Sequence, residues 1–485
     1  MHKGIHILLL LLGLVSCRET IVSDDPTLKL RFSHDVVLFD TVFTTIGSST
    51  KRVMVYNPNK NAISIQQVSM REGKYFHINL DGENNMNELR NITVRGGDSL
   101  FMFVRVCIDP LDEDNPVLVD DDIAFSVNGN TQRINLQAYG QNIEKIKIPG
   151  DSIISNCKLT NKKPYLLYDT VNVGNLTIDA GCTIYMHEGA LLCVYGSMNA
   201  HGTKEAPIIF RGDRTDMLFD SVPYRMASGQ WNGIYLLHDK RVAKQPIYQL
   251  SFVDILSGRI GLYAYSEETD TAKCPQLTLL NSRIHNHSIY GLVLQNINAD
   301  VTNCEISNCA SYCVYLAGGN HKFVHNTIAA YYGYPYTNLN IHQNIVPEDV
   351  AAVYINNLSK DMAKTNSSFC NCIITGARPN NLVVATPFNE HYTGKFTGNY
   401  LRADSLLLPY ATNNTYASAT DATVFRNIYY LYEKYHYYDF QLDSLSPARG
   451  VADSAITFSK EIFTIDRIGQ KRKTNPDAGC YEYNL

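Results

Sequence analysis

A single Trp, no run of Lys or Arg beyond a few positions and no apolar stretch long enough to cross a bilayer mark this 485-residue sequence first by what it lacks. Nucleic-acid binders need a clustered cationic field. Here 42 basic side chains face 47 acidic ones for a net charge of −5, so nucleic acid is not expected as a partner. A bilayer core demands roughly 20 consecutive apolar residues, which excludes a multi-span membrane protein. A content of 45% hydrophobic and 18% charged residues excludes a disordered polymer, and 30 Gly without a three-residue period exclude a collagen. Helical periodicity is missing over most of the chain. Cys304, Cys309 and Cys313 are spaced by five and four positions, unlike the Cys-x2-Cys of zinc sites, so neither a metal nor a cofactor is expected. What is abundant is tyrosine, at 32 residues, scattered among short β-branched runs that suit a long strand-rich surface. At ~150 residues per domain, the length fits two or three domains.

The chain opens with His2, Lys3 and His6 around the apolar run Ile7 to Leu12, followed by Gly13, Leu14, Val15, Ser16 and Cys17. A basic end, a short apolar core and small residues before a cut site form a secretory signal. The phrase Leu14-Val15-Ser16-Cys17 resembles the lipobox of bacterial lipoproteins. That resemblance implies a signal over residues 1–16, cleavage before Cys17 and acylation of its thiol. Each buried methylene of an acyl chain adds about 0.8 kcal/mol of membrane affinity. No Asp follows Cys17 directly, which in that family implies the outer membrane, on its periplasmic or its exposed side. An ordinary signal peptide with an incidental Cys is the alternative. Residues 17–27, with Glu19, Asp24 and Asp25, read as an acidic tether. Setting Cys17 aside leaves 12 − 1 = 11 cysteines, an odd number, so at least one thiol stays free even in an oxidising compartment. Buried structural thiols are the expectation. Cys304 and Cys372 occupy equivalent places in the repeat described below, about three coils or ~14 Å apart, beyond disulfide reach.

Residues 28–145 alternate with period two. Val36-Val37-Leu38-Phe39, Arg52 to Tyr56, Ala62 to Ile65, Leu100 to Val106, Ile123 to Val127 and Ile134 to Ala138 are short β-rich runs, separated by turn signals such as Asn57-Pro58-Asn59-Lys60 and Asn128-Gly129-Asn130. This pattern predicts an antiparallel β-sandwich. The strand, Asn-Pro-Asn-Lys, strand order and the closing Gln137-Ala138-Tyr139-Gly140 resemble bacterial immunoglobulin-like domains.

In residues 146–425 a phrase of small residue, aliphatic, any, aliphatic recurs. It begins at Gly233, Gly261, Gly291, Cys313, Ala352 and Asn381, in steps of 28, 30, 22, 39 and 29. A unit of 22 with insertions accounts for every step. Ile284, Ile306 and Ile328 keep the same spacing, as do Asn281, Asn303 and His325, and Asn286 and Asn308. A repeat this short cannot bury its own core and must stack on its neighbours. Inward aliphatics with Asn at the bends, together with Asn281 to Asn286 and Tyr290 to Leu294, resemble the pectate-lyase-like right-handed parallel β-helix. The expected class is therefore all-β, a right-handed parallel β-helix preceded by a β-sandwich. Residues 426–485, with Ser446-Pro447-Ala448-Arg449-Gly450 and Pro476 to Tyr483, resemble the ending of secreted β-helix proteins and read as a C-terminal cap, with Tyr429, Tyr430, Tyr432, Tyr435, Tyr437 and Tyr438 packed beneath it.

Strand alternation turns Tyr235, Tyr263, Tyr315 and Tyr354 outward in one column, interrupted by Val293 and Val383. Their faces in a line along the axis would suit a sugar chain. Equally, tyrosine is a good strand residue that inserted loops could cover. The catalytic signatures of this superfamily are absent: no paired-Asp strand, no Gly-His-Gly, no Trp-Ile-Asp-His and no Arg-x-Pro-x-x-Arg. Arg283 and His285 flank inward Ile284, His321 and Lys322 begin the next turn, and Asp254, Glu305 and Glu348 read as scattered. The sequence therefore favours a noncatalytic lipoprotein that displays its β-helix to a polysaccharide or a cell-surface partner protein. The alternative is a polysaccharide lyase or glycoside hydrolase of unfamiliar subtype.

Overall fold

The fold is seen in a computed structural model that describes residues 21–83, 88–114, 116–147, 152–218, 222–241, 244–332, 350–356, 362–385, 392–403, 411–418, 423–428 and 438–484. Cys17 and the signal segment lie outside the described residues, as do Glu348 and five of the six clustered tyrosines, Tyr429, Tyr430, Tyr432, Tyr435 and Tyr437. The chain divides between Asn142 and Ile143 into two compact units.

The first unit is two sheets around one core. A six-stranded sheet contains Val36–Phe43, Ala62–Met70, Val117–Val127 and Asn130–Gln141, and a four-stranded sheet contains Lys51–Tyr56, Phe76–Leu80 and Ser99–Val106. The longest hairpin turns at Asn128 and Gly129, both at positive φ (48° and 78°), the backbone that matches strand twist in a two-residue loop. Asn57, buried, donates from its amide to the carbonyls of Asn61 (2.9 Å) and Val94 (3.0 Å), which fixes the Asn-Pro-Asn-Lys turn. Val53, Val55, Ile63, Ile65, Met102, Val104 and Phe125 fill the space between the sheets.

The second unit is a parallel β-helix. Its coils contribute strands to a 17-stranded and an 11-stranded sheet, and each complete coil runs through three short strands. In one coil these are Tyr290–Gln295, Asn298–Thr302 and Glu305–Ser307, and the next coil repeats them as Tyr312–Ala317, Gly319–Val324 and Thr327–Ala330, all paired in parallel. The bends explain the phased Asn columns. Asn281, Asn303, His325 and Asn371 take positive φ of 48°, 53°, 54° and 57° at one corner, and Asn286 and Asn308 take 64° and 58° at another. Asn enters this left-handed region at lower cost than other side chains because its short amide bonds locally. Inside, Ile255, Ile284, Ile306, Ile328 and Ile374 stand in register from coil to coil, all fully buried. Phe323, Phe369 and Phe396 form a stacked column with centroids 4.7 and 5.5 Å apart.

Every one of the 11 cysteines after Cys17 is a free thiol. Cys304 and Cys372 are two coils apart rather than three, with Asn326 between them. The Asn326 side-chain oxygen accepts from the Cys304 amide at 2.8 Å, and the Asn326 amide N–H points to the Cys372 sulfur at 3.4 Å. Thr327–Ala330 pairs directly with Ile373–Gly376, so the 46 residues from Asn326 to Cys372 make a single coil step where the sequence spacing implied two. At ~9.6 Å, two coils still exceed disulfide reach.

The segment expected to close the end of the β-helix runs along its flank. Arg467 reaches Asp254, Tyr481 reaches Glu305, the Cys480 amide donates to Thr327 Oγ1 at 3.1 Å, and the Gly479 amide donates to the Asn371 carbonyl at 2.8 Å. These partners span successive coils of the 11-stranded sheet. The C-terminal residues are therefore a strap over this face from Asp254 to Asn371.

Candidate functional site

The three strands of a coil give the β-helix three faces, and each meets a different fate. The face of Gly233–His238, Ile260–Ser266, Tyr290–Gln295, Tyr312–Ala317 and Ala351–Asn356 carries the tyrosines. The pairing places Tyr235 beside Tyr263, Tyr263 beside Val293, Val293 beside Tyr315, Tyr315 beside Tyr354 and Tyr354 beside Val383. The single column read from the sequence is thus present, and each of its four tyrosines is half-buried.

The rings do not lie flat in a line along the surface. Tyr315 and Tyr354 stack at 5.7 Å with planes 11° apart, and Tyr312 and Tyr354 at 4.6 Å with planes 23° apart. Coils spaced ~4.8 Å apart hold neighbouring rings at stacking distance, so most faces cover one another and solvent meets their edges and hydroxyls. Tyr290 and Tyr312, 5.8 Å apart and nearly parallel, and Tyr265, 6.3 Å from Tyr263, belong to the same ladder. Sequence reasoning missed these three, although Tyr290 and Tyr312 differ by the repeat length of 22. Tyr263 donates to Gln295, and Asn356 donates to the Tyr315 hydroxyl. Burial, with the phenols of Tyr265, Tyr235 and Tyr315 close by, pushes Tyr263 up to about 12, so it stays a neutral donor.

The ladder stops where Val383 replaces a ring. Val383 is the neighbour of Tyr354 on the next coil, and a pocket of about 530 Å³ opens beside the pair, lined by Tyr312, Val350, Tyr354, Arg378, Pro379, Asn380 and Val383. An aromatic wall and a guanidinium with five donors in a fixed fork thus share one concavity. Sequence reasoning did not single out Arg378.

The strap-covered face holds two of the acids that looked scattered, Asp254 and Glu305. Asp254, Arg283 and Glu305 are direct neighbours on successive strands, a carboxylate, a guanidinium and a carboxylate in one column. Ser307 Oγ donates to Glu305 Oε1 at 2.8 Å and lies 2.9 Å from His285 Nδ1. Ionisable groups therefore do converge, but beneath a roof. Tyr481 donates to the other oxygen of Glu305, Arg467 Nη2 lies 2.7 Å from Asp254 Oδ1, and the rings of Tyr438 and Phe440 stand 5.7 and 6.1 Å from His285. Burial, aided by Arg283 and His287, holds His285 well below the usual imidazole range. Glu305 and Ser307 are buried and His285 nearly so, which leaves no room for a substrate. The cluster fastens the strap.

His325 is also a fastening. Its Nε2 lies 2.9 Å from Thr457 Oγ1 and 3.2 Å from Asn371 Nδ2, in keeping with its place in the Asn column. Among the described residues no group of three or more His, Cys, Asp or Glu side chains could hold a metal ion.

No family model and no curated protein matches this chain. Two solved structures resemble parts of it: a family 123 glycoside hydrolase from Clostridium perfringens, at 6% identity over 23% of this chain and 25% of that one with a TM-score of 0.17, and the Vibrio cholerae VesB protease, at 14% identity over 23% and 31% with a TM-score of 0.17. The chain thus spans about a quarter to a third of either protein's length, and overlaps this loose carry no conclusion about fold or activity.

Proposed function

We propose that this protein is a noncatalytic glycan-binding lipoprotein, with a sugar ring docking in the pocket that ends the tyrosine ladder. The observation that carries this reading is the terminal ring: Tyr354, backed by Tyr312 and Tyr315, forms the wall of a pocket with Arg378 and Asn380. A pyranose buries an apolar face against an aromatic ring while its hydroxyls need donors and acceptors at the rim. Arg378 and Asn380 supply them. A glycan chain would leave the pocket across ring edges and hydroxyls instead of lying on a row of faces.

The test is binding of neutral linear oligosaccharides to the purified chain. Tyr354→Ala is expected to weaken binding several-fold, in line with about 0.5–1.5 kcal/mol for an aromatic contact, with little dependence on salt. Tyr235→Ala, at the far end of the ladder, is expected to leave affinity unchanged. Equal affinity in folded Tyr354→Ala and the parent protein would overturn the pocket as the site.

The lipid anchor is part of the same proposal and rests on the Leu14-Val15-Ser16-Cys17 phrase. No helix among the described residues is long and apolar enough to cross a membrane. Cys17→Ser is expected to move the protein from the outer-membrane fraction to an unprocessed or soluble one. Unchanged fractionation would rule out acylation at Cys17.

A further inference from the structure

The remaining face of the β-helix lies outside the tyrosine ladder and meets the C-terminal segment at one edge, where Phe463 packs on Val324 and Cys370. From Gln276 onward its outward side is polar. Gln276, Asn298, Asn320, Asn366 and Thr393 form one column, and Thr278, Asp300, Lys322, Ser368 and Lys395 form a parallel one. Ala299, Ser367 and Gly394 face inward between them, and a groove of about 350 Å³ lies over these small residues.

Its lining carries two lysines and one carboxylate, a net positive charge on an acidic chain. Lys322 and Lys395 are exposed and flank Ser368 from the coils on either side. Neither makes an ion pair among the described residues, although the whole chain is acidic. The Lys322 ammonium lies 5.9 Å from the Phe463 ring and Lys460 lies 5.8 Å from the same ring, so a third cation stands at the rim. Asp300 is the one carboxylate lining the groove, and it accepts from Gln276 at 3.2 Å. It is the direct neighbour of Lys322 on the preceding strand, ~4.8 Å away at the backbone, and offsets part of that charge, whereas Ser368 and Lys395 lie on the far side of Lys322. The donors beside Ser368 are only partly used: Asn366 gives one amide hydrogen to Asn320 at 2.6 Å and retains a second.

We propose that this groove binds a tetrahedral oxyanion, a phosphate or sulfate group, between the Lys322 and Lys395 ammonium groups over Ser368. Lysines two coils apart are ~9.6 Å apart at the backbone, a span that two flexible four-carbon side chains close around one anion. The Ser368 hydroxyl and the free Asn366 hydrogen then donate from the floor, and a hydrogen bond to a charged group is stronger than one between neutral groups. The same group could arrive as a free ion or as an ester carried on a glycan. The site is separate from the tyrosine pocket and does not depend on it.

The experiment is calorimetric titration of the full mature chain with inorganic phosphate, with dextran sulfate and with unmodified dextran, at about 50 mM and about 500 mM salt. Phosphate binding identifies the free ion as a sufficient ligand, and binding of dextran sulfate alone identifies the ester; both outcomes support the site. In either case the Lys322→Gln/Lys395→Gln double variant is expected to lose affinity about tenfold or more, and high salt is expected to do the same to the parent. Both lysines are exposed, so this variant is expected to fold. Tyr354→Ala is expected to bind phosphate and dextran sulfate as the parent does, which separates failure here from failure of the sugar pocket. The proposal is overturned if neither anion binds, if the double variant binds as tightly as the parent, or if unmodified dextran binds the Tyr354→Ala variant as well as dextran sulfate does and phosphate does not bind.

Discussion

Arg472→Ala is expected to cost about 3–5 kcal/mol of β-helix stability, the range for breaking one partner out of a buried ion pair. The Arg472 side chain is fully buried. It donates to Asn303 Oδ1 (3.0 Å) and to the Gly479 carbonyl (2.9 Å), and its guanidinium lies 3.6 Å from Glu482. It is therefore the point at which the strap grips a bend of the solenoid. Asp466, Asp477 and Glu482 are buried around it, and removing the cation leaves them facing one another. Burial already raises Asp466 and Glu482 above the usual carboxylate range, with Arg472 among the groups that pull them back down. A raised carboxyl holds its proton in the native state where the unfolded chain has released it, so its contribution falls as pH climbs from about 4 through the raised value. Without Arg472 that gap widens. The variant's deficit is thus expected to be greatest near neutral pH and partly recovered near pH 4. Urea denaturation at both pH values, following the β-helix transition, checks magnitude and sign together. A deficit below 1 kcal/mol, or one that grows on acidification, would show that the strap is held by its apolar contacts at Ala478, Cys480 and Tyr481.

Ile306→Ala is expected to cost about 2–5 kcal/mol. Ile306 is fully buried, paired in register with Ile284 below and Ile328 above. Its side chain also packs so closely on Gly291 that a methyl group added there would come within 3.0 Å of Ile306 Cγ2. In a solenoid each coil touches only its neighbours, so a cavity in the middle of the column loosens two interfaces at once and cannot be refilled by movement elsewhere. The expected readout is a lower unfolding midpoint for the β-helix with the first unit unaffected, since the two units have separate cores. Ile306→Val, which deletes one methylene, is expected to cost about 0.5–1.5 kcal/mol. Equal stability of the alanine variant and the parent would contradict the packing of this column.

The sequence alone determined the solenoid, because the signals that build it are local and repeat. Inward isoleucines at a base step of 22 residues, Asn where the backbone must turn left-handed, and a tyrosine outward of four of the six aliphatic pairs are consequences of strand alternation and bend geometry within single coils. For the same reason the sandwich strands Lys51–Tyr56, Ala62–Met70 and Ser99–Val106 were readable, each from its own alternation. Phe76–Leu80 alternates as cleanly but spans only five residues, and Glu88–Val94 is thrown out of phase at Asn91, whose φ is 57°. Only the tertiary structure decided what each face of the solenoid does. Arg467 meets Asp254 across 213 residues and Tyr481 meets Glu305 across 176, separations over which no periodicity carries information. Acids that look scattered in the sequence therefore turn out to be aligned and roofed. The orientation of the tyrosine rings was hidden for a different reason. Alternation fixes which side of the sheet a ring leaves from, but the spacing between coils makes neighbouring rings stack on each other. The pocket beside Tyr354 depends on a valine in the following coil.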